Sequence, residues 1–238
     1  MAQETFRRYE KKYRLSKEKQ EVLLTALQGK IRPDAYGSYT ISNIYFDTAD
    51  YSFIKRSLEK PDFKEKLRLR SYGVPDMQSM VYAELKKKYK GIVYKRRAAL
   101  SLQEATDWLY SGKEPEASIQ IKKELFWFTE HYFLKPAVYL AYDREAYAGT
   151  EDKFRLTFDT NIRYREQDLH LEQGDDGILL LPEEEVLMEV KIQDAMPFWM
   201  SHLFSELEIF PTSFSKYGTY YLKKEKSESD CGRDKKIC

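Results

Sequence analysis

The chain has 238 residues, and its 40 lysines and arginines nearly balance its 39 aspartates and glutamates, giving a formal net charge of +1. This balance excludes a globally basic nucleic-acid-binding protein, and 15% aromatic residues exclude a disordered chain. No apolar run approaches the roughly 20 residues of a membrane span. Without a signal-peptide stretch, and with only two cysteines, both in a polar tail, the chain is expected in a reducing cytoplasm.

The chain order of predicted elements indicates an α+β domain built mainly on antiparallel sheet. Strands are predicted at 4–15, 39–47, 64–72, 80–88, 92–100, 135–147, 153–165 and 186–193. Helices are predicted at 17–29, at 48–58, at 101–110, at 116–131, at 197–208 and at 215–224. Ser16 is a good N-cap for the first helix, and Ser101 with Glu104 forms a plausible capping box. Residues 1–222 are therefore interpreted as one domain, and the polar residues 223–238 as an unstructured tail.

Six of the predicted strands carry charged side chains on one face and mostly apolar side chains on the other. Side chains alternate along a strand, so Arg68 and Arg70 share the face opposite Leu67 and Leu69. The same alternation gives charged faces that carry Lys12, Lys66, Lys86, Lys95, Arg97, Arg155 and Lys191. For any single strand, an ordinary solvated face is the simpler interpretation. Because like charges opposite one another are destabilising, six such strands together favour a polyanionic ligand.

Three glutamates, Glu10, Glu84 and Glu189, interrupt these basic faces. A few carboxylates among many cations suggest Mg²⁺ or Mn²⁺ bound beside phosphate, since these ions often take one or two carboxylates plus substrate oxygens. Each glutamate could instead pair with a neighbouring lysine or arginine. Both interpretations stay open for Glu84, whereas metal binding is favoured for Glu10 and Glu189. Binding of RNA or single-stranded DNA is disfavoured because the basic residues alternate with aliphatic ones and not with exposed stacking rings.

A set of short segments carries a resemblance to a known family. They are residues 9–13, 44–47, 66–73, 84–88, 93–97, 142–147, 155–159, 189–191 and 214–217. In this order, over roughly residues 5–222, they resemble the VTC domain, the polyphosphate polymerase branch of the triphosphate tunnel metalloenzymes. The resemblance implies an antiparallel β-tunnel, a closed barrel with a charged lumen, flanked by helices.

The resemblance also implies a site. Catalytic roles would fall to Arg68, Arg70, Lys86, Lys95, Arg97 and Arg144. Phosphate would be bound by Lys12, Arg155, Lys191 and Lys216. Glu189 would hold Mn²⁺ or Mg²⁺, with Glu10 as a second ligand. The implied partners are ATP and inorganic polyphosphate or triphosphate, with no nucleic acid; the sequence does not specify a membrane-protein partner.

The resemblance implies attack of a terminal phosphate of polyphosphate on the γ-phosphate of ATP. Phosphoryl transfer needs chiefly positioning and charge neutralisation, which basic side chains can supply. The sequence departs from the family pattern at two positions that bear on this reaction. Arg8 stands where the wider superfamily has the first glutamate of its opening signature, which argues against a two-metal triphosphatase; Ser213 stands where a second chain-gripping lysine is expected. The alternatives are a tripolyphosphatase or nucleoside triphosphatase, and a non-catalytic module that binds polyphosphate or nucleotide.

Overall fold

The structure is a computed structural model that describes residues 9–90, 92–114, 120–151, 153–193 and 195–234. The strands are β1 (Tyr9–Ser16), β2 (Ile31–Asp47), β3 (Phe63–Tyr72), β4 (Met80–Tyr89), β5 (Ile92–Ser101), β6 (Lys135–Gly149), β7 (Phe154–Arg165), β8 (Ile178–Leu179) and β9 (Glu185–Ile192). The helices are α1 (Lys17–Ala26), α2 (Ser52–Leu58), α3 (Leu102–Leu109), α4 (Gln120–His131), α5 (Phe198–Glu206) and α6 (Lys216–Asp234). The predicted α+β class, with helices flanking an antiparallel sheet, is confirmed.

Two helices begin at the residues that the sequence indicates. The Ser16 hydroxyl accepts a hydrogen bond from the Lys19 amide at 3.1 Å. Ser101 and Glu104 form the complete capping box, because Ser101 Oγ accepts from the Glu104 amide at 3.2 Å and Glu104 Oε2 accepts from the Ser101 amide at 3.0 Å. Each bond satisfies an amide that the helix itself leaves without an acceptor.

The chain divides into two compact units, each formed from three separated stretches. Unit 1 comprises Met1–Thr40, Tyr142–Ile162 and Leu181–Phe214, and unit 2 comprises Ile41–Ala141, Arg163–Leu180 and Ser215–Cys238. Three strands, β2, β6 and β7, contribute residues to both units.

In unit 1, β9 lies between β1 and β7 and pairs antiparallel with both. The side chains on the apolar face of these strands are buried, among them Tyr13, Phe158 and Met188. They pack against Leu23 of α1 and Phe204 of α5. The opposite parity therefore carries the polar side chains, and register places Lys12 and Thr157 directly opposite Glu189.

In unit 2, β2, β3, β4 and β5 pair antiparallel in that order. Their apolar parity forms a core with α3 and α4, in which Leu67 and Leu85 are buried together with Trp108 and Phe128. The Trp108 indole donates to the Thr129 hydroxyl at 3.1 Å, which satisfies its buried N–H. With one parity buried in this way, the charged parity of β3, β4 and β5 lies on the opposite face of the sheet.

The predicted antiparallel sheet is present, but its closure into a barrel is wrong. The strand order is β1-β9-β7-β6-β2-β3-β4-β5, with β8 on β7, and over the ranges given above no pairing joins β5 to β1. Among the described residues, β1 and β5 are therefore the two ends of this strand order. The charged and apolar parities come from the pleat alone, whereas closure depends on a pairing between distant strands that no local pattern specifies.

Other predicted boundaries shift. Residues 223–234, expected to be unstructured, continue α6, where Lys224 pairs with Glu228 one turn on at 3.2 Å and with Glu166 at 3.3 Å. Such pairs support a polar helix that composition alone does not reveal. The strand expected from residue 4 and the helix expected from residue 116 are described from Tyr9 and from Gln120 respectively; their earlier residues lie outside the described ranges.

Candidate functional site

A buried carboxylate, that of Glu84 on β4, lies at the centre of the charged face of unit 2. The pairing of β3, β4 and β5 sets Arg68 and Arg97 directly opposite Glu84 on its two sides. Residues opposite one another in an antiparallel pair point to the same face. The side chain of Glu84 is only 1% exposed, so its charge must be compensated by protein groups.

Four cations provide that compensation. Arg68 donates to Glu84 Oε2 from Nε at 2.9 Å and from Nη2 at 2.7 Å, and Lys95 Nζ lies 2.7 Å from Oε1. Arg70 Nε is 3.8 Å from Oε2 and Arg97 Nε is 3.6 Å from Oε1. We call these five residues the Glu84 cluster. One carboxylate against four cations leaves the cluster with an excess of three positive charges (4 − 1).

The pKa of Glu84 reflects this environment. Burial alone would raise it, but the positive charges of Arg68, Arg70 and Lys95 lower the pKa from 4.5 to about 2. Burial also lowers the pKa of Lys95, and the contact with Glu84 opposes that effect. The carboxylate is therefore ionised at neutral pH and holds the cations in fixed positions.

Further contacts orient the three arginines of the cluster. Arg70 Nε donates to Asn43 Oδ1 at 3.1 Å, and Arg68 Nη1 lies 3.3 Å from the Tyr45 hydroxyl. The Arg97 guanidinium stacks over the Tyr82 ring, 3.6 Å from its centroid. Because guanidinium donors form a planar fork, arginines held in this way are preorganised for phosphate oxygens.

Two rows of lysines continue the charged face beyond the cluster. Register sets Lys66 opposite Lys86 and Lys86 opposite Lys95, and in the next row it sets Lys64 opposite Lys88. Burial and the repulsion of Lys88 lower the pKa of Lys64. Among the residues described, no carboxylate forms an ion pair with Lys64, Lys86 or Lys88. Like charges set opposite one another without an acid form a face that favours a bound anion.

The first turn of α6 borders this face in unit 2. Ser215 Oγ accepts from the Gly218 amide at 3.2 Å, as a helix N-cap does, and also from Lys66 Nζ at 3.0 Å. Lys216, a predicted phosphate-binding residue, is the first residue of this helix. Unit 2 therefore contains Lys216 and all the residues expected in catalysis except Arg144.

Unit 1 contains a second buried carboxylate, that of Glu189 on β9. Lys191 Nζ lies 2.7 Å from Glu189 Oε1, and Lys12 is the cross-strand neighbour of Glu189 on β1. Burial would raise the pKa of Glu189, but Lys191 and Lys12, with a smaller effect of Arg144, lower it to about 2. Glu189 is thus held ionised, in direct contact with a predicted phosphate-binding lysine.

The other predicted residues of unit 1 surround this position less closely. Arg155 and Glu10 lie opposite Lys191 on its two neighbouring strands. Arg155 Nη2 pairs with Asp34 Oδ2 at 3.3 Å and is half exposed. Lys12 Nζ is 3.8 Å from Glu10 Oε1 and donates to the Phe214 carbonyl at 3.1 Å.

Arg144 forms a buried pair with Asp159. Its Nε and Nη2 donate to the two carboxylate oxygens of Asp159 at 2.6 and 2.8 Å, and Asp159 is fully buried. Burial would lower the pKa of Arg144, but Tyr142 and Asp159 beside it raise the pKa above its ordinary value. Two donors of Arg144 are thus committed to this carboxylate, a partner that the sequence analysis did not single out.

The carboxylates of Glu189 and Glu10 suit a metal site that is completed by substrate and water. Within the described ranges, no group of three or more His, Cys, Asp and Glu side chains could hold a metal ion. Glu189 and Glu10 lie on adjacent rows of β9 and β1, and both present hard oxygen donors. This donor set fits Mg²⁺ or Mn²⁺ that shares its coordination with phosphate and water, and it does not fit a cage made entirely of protein ligands.

Of the two interpretations of Glu84, metal ligand or ion-pair partner, the four cationic neighbours favour the second. Asn43 and Tyr45, which contact Arg70 and Arg68, are not among the predicted site residues. The parity of β2 could have indicated them, since Asn43 and Tyr45 alternate with Ile44 and Phe46 and lie opposite Arg70 and Arg68. The choice of partner for each glutamate needed the register between strands.

Comparison with known proteins gives one family and one fold. The family model of the VTC domain matches residues 7–223. Subunit 4 of the vacuolar transporter chaperone complex of Schizosaccharomyces pombe is 26% identical over an alignment that covers 74% of this chain; the chain spans only 30% of the length of that protein.

Two solved structures share the fold. A candidate adenylate cyclase from Bacillus halodurans superposes with a TM-score of 0.54 at 18% identity, covering 87% of this chain and 92% of its own. A candidate adenylyl cyclase from Hippeastrum, described as having a dominant triphosphatase activity, gives 0.53 at 16% identity, covering 90% and 95%. At these identities the likeness concerns the fold.

Proposed function

The chain belongs to the VTC domain family, and from that premise we propose that it is an ATP-dependent polyphosphate polymerase. The observation that supports this proposal is the Glu84 cluster with its adjoining lysine rows. One buried carboxylate gathers four cations, and the neighbouring Lys64, Lys86 and Lys88 have no acidic partner in the described part of the chain. A face that is this positive and this extended suits a linear polyanion better than a single phosphate.

In the proposed reaction, the terminal phosphate of a polyphosphate chain attacks the γ-phosphorus of ATP. The new P–O bond lengthens the chain by one unit, the bond between the β- and γ-phosphates breaks, and ADP leaves. A phosphate nucleophile is already ionised at neutral pH, so no general base is required. The protein supplies position and charge neutralisation, which dominate catalysis of phosphoryl transfer.

The residues divide this work by their chemistry. The guanidinium forks of Arg68, Arg70 and Arg97 bind phosphate oxygens in pairs, and Lys86 and Lys95 add point charges. Arg144 belongs to the proposed catalytic set through its charge and its fixed position against Asp159. Lys12, Arg155, Lys191 and Lys216 bind further phosphates of the chain.

A divalent cation, Mn²⁺ or Mg²⁺, is part of the proposal, with Glu189 as its ligand and Glu10 as a second one. When bound, such an ion supplies Lewis-acid neutralisation of phosphate charge. Glu189 remains ionised at neutral pH because Lys191 and Lys12 lower its pKa, and a metal ion would share this carboxylate with Lys191, whose Nζ lies 2.7 Å from Oε1.

A cytoplasmic location is also proposed, since ATP is the phosphate donor in this scheme. In the part of the chain that the structure describes, none of the helices combines the length and the apolarity needed to cross a bilayer.

The test is to incubate the purified chain with ATP and Mn²⁺ and to identify the products by gel electrophoresis and ³¹P NMR. Polymer together with ADP supports the polymerase. Free phosphate without polymer supports a hydrolase, the second candidate, which the triphosphatase activity described for the Hippeastrum protein favours. Binding of tripolyphosphate without either product supports a binding module.

A matched pair of variants tests the assigned face. Arg97 and Arg96 are neighbours on β5, but Arg97 lies at the Glu84 cluster, whereas Arg96 points to the opposite parity and pairs with Glu124 at 3.4 Å. Arg97→Ala should abolish polymer formation, and Arg96→Ala should leave it close to wild type. Equal effects would contradict the assignment of the substrate to this face, and a larger effect of Arg96→Ala would assign it to the opposite face.

A further inference from the structure

Two segments that lie far apart in the sequence meet in the interior of unit 2. Asp47 ends β2, and Tyr217 lies in the first turn of α6. The Tyr217 hydroxyl donates to Asp47 Oδ2 at 2.8 Å across a separation of 170 residues. Both side chains are buried, so this bond between a phenol and a carboxylate is shielded from water.

The carboxylate of Asp47 is held in place by three backbone amides. Its Oδ1 accepts from the amides of Thr48 at 2.8 Å and Phe53 at 2.9 Å, and its Oδ2 accepts from the amide of Ile54 at 3.0 Å. The last two amides belong to the first turn of α2, so the carboxylate satisfies two amides that have no acceptor within that helix. A hydroxyl bound to Asp47 is therefore held relative to both β2 and α2.

The contacts of Tyr217 also connect Asp47 to the charged face. Its ring stacks on that of Tyr45 with centroids 4.9 Å apart, and the Tyr45 hydroxyl lies 3.3 Å from Arg68 Nη1. Two residues before Tyr217, Ser215 accepts from Lys66 Nζ at 3.0 Å. The start of α6 thus contacts Lys66 directly and is connected to Arg68 through Tyr45.

We infer that Tyr217 is a positioning residue for phosphate binding on this face. Its hydroxyl fixes the first turn of α6 against Asp47, and the start of that helix holds Ser215 against Lys66. Through the stacked Tyr45 ring it also limits the movement of the Arg68 guanidinium. This inference rests on the proposed function, because it concerns the affinity of the face for a polyphosphate chain.

The next tyrosine of the same helix offers a matched control. Tyr220 is buried, its ring lies 6.2 Å from that of Tyr217, and its hydroxyl donates to the Glu166 carboxylate at 2.7 Å. Tyr217→Phe and Tyr220→Phe each remove one bond from a phenol to a carboxylate. Only Tyr217 is connected to the cations of the face by the contacts described above.

The experiment measures tripolyphosphate binding by calorimetry, without ATP or metal, at several salt concentrations, together with thermal unfolding. Both variants should unfold at lower temperature than wild type. At a temperature where both are folded, Tyr217→Phe should bind about tenfold more weakly, the effect of a hydrogen bond to a charged group, while Tyr220→Phe should bind within about twofold of wild type. The salt dependence of affinity should become shallower only in Tyr217→Phe, because a cation is no longer held against the phosphate.

The outcomes separate the inference from the proposed function. Equal affinities in the two variants overturn the inference alone, since Tyr217 would then only stabilise the helix. A wild-type protein that binds tripolyphosphate but makes no polymer from ATP refutes the polymerase and leaves the binding comparison valid. A wild-type protein that binds no tripolyphosphate overturns both. Should Tyr217→Phe fail to fold, Tyr45→Phe removes the hydroxyl next to Arg68 and must weaken binding in the same direction.

Discussion

The carboxylate of Glu84 can be replaced by an uncharged isostere, and the consequence can be worked out from the structure. Its pKa is lowered from 4.5 to about 2, a difference of about 2.5. At about 1.36 kcal/mol for each pKa unit, the interaction of the charged form with its cations stabilises the fold by roughly 3 kcal/mol at neutral pH. Glu84→Gln should therefore lower the free energy of unfolding by about that amount.

The same substitution leaves four cations without their carboxylate, and a bound polyanion can take its place. We expect tripolyphosphate to stabilise Glu84→Gln more than it stabilises the wild type, so that the difference in unfolding free energy shrinks as ligand is added. Urea unfolding with and without tripolyphosphate measures both quantities.

Glu65 provides the control for this experiment. It is a buried glutamate of β3 on the face of the sheet opposite the Glu84 cluster, and it pairs with Lys87 at 3.3 Å. Glu65→Gln should also be destabilised, because Lys87 loses its partner, but tripolyphosphate should not restore its stability preferentially. If the ligand rescues both variants equally, or if Glu84→Gln is as stable as the wild type, the charge balance described for the cluster is wrong.

The pH dependence follows from the direction of the shift. A carboxyl with a lowered pKa adds stability above its unfolded-state value of about 4.5, and this stability is lost as the pH falls towards 2. Glu84→Gln lacks this group, so its acid unfolding curve should be flatter than that of the wild type between pH 4.5 and 2. Urea titrations at several pH values in this interval measure the slope, and parallel curves would contradict the assignment.

Three further predictions concern the proposed site. Glu189→Gln should retain tripolyphosphate binding but lose turnover with ATP; a Mn²⁺ titration tests this, and an unchanged metal requirement would remove Glu189 from the mechanism. Arg70→Ala should weaken tripolyphosphate binding by about 1.5–3 kcal/mol in calorimetry, whereas Lys87→Ala, on the opposite face, should change it little. Replacing both Lys64 and Lys88 by alanine should weaken the binding of long polyphosphate more than the binding of tripolyphosphate, as measured by competition. Equal losses of affinity would show that this outer row of lysines does not contact the polyphosphate chain.

The charged faces were predictable from the sequence because a strand alternates its side chains with a period of two. Leu67, Leu69 and Leu85 identify the buried parity of β3 and β4, so Arg68 and Glu84 follow as residues of the other face. This reasoning needs no tertiary information. The same holds for the helix starts at Ser16 and Ser101, where a few adjacent residues form the cap.

Pairing between distant elements was not predictable in this way. Whether Glu84 binds a metal or its neighbours depends on which strands flank β4 and in which register, and no residue near it in the sequence specifies this. The bond between Asp47 and Tyr217 spans 170 residues, although both lie in segments that carry the family resemblance. Closure of the sheet was expected from the family fold, and it too depends on a long-range pairing.

The sharing of β2, β6 and β7 between the two units affects how the protein can be made. Neither unit is a continuous stretch of chain, so neither can be expressed by cutting the gene at a single point. During synthesis, unit 1 stays incomplete until residue 214 has been made, and unit 2 still awaits α6. β2, β3, β4 and β5 are consecutive and can pair as they are made, whereas β1 must wait for β9, which predicts slow completion of unit 1 and a period in which its basic residues are exposed to cellular polyanions.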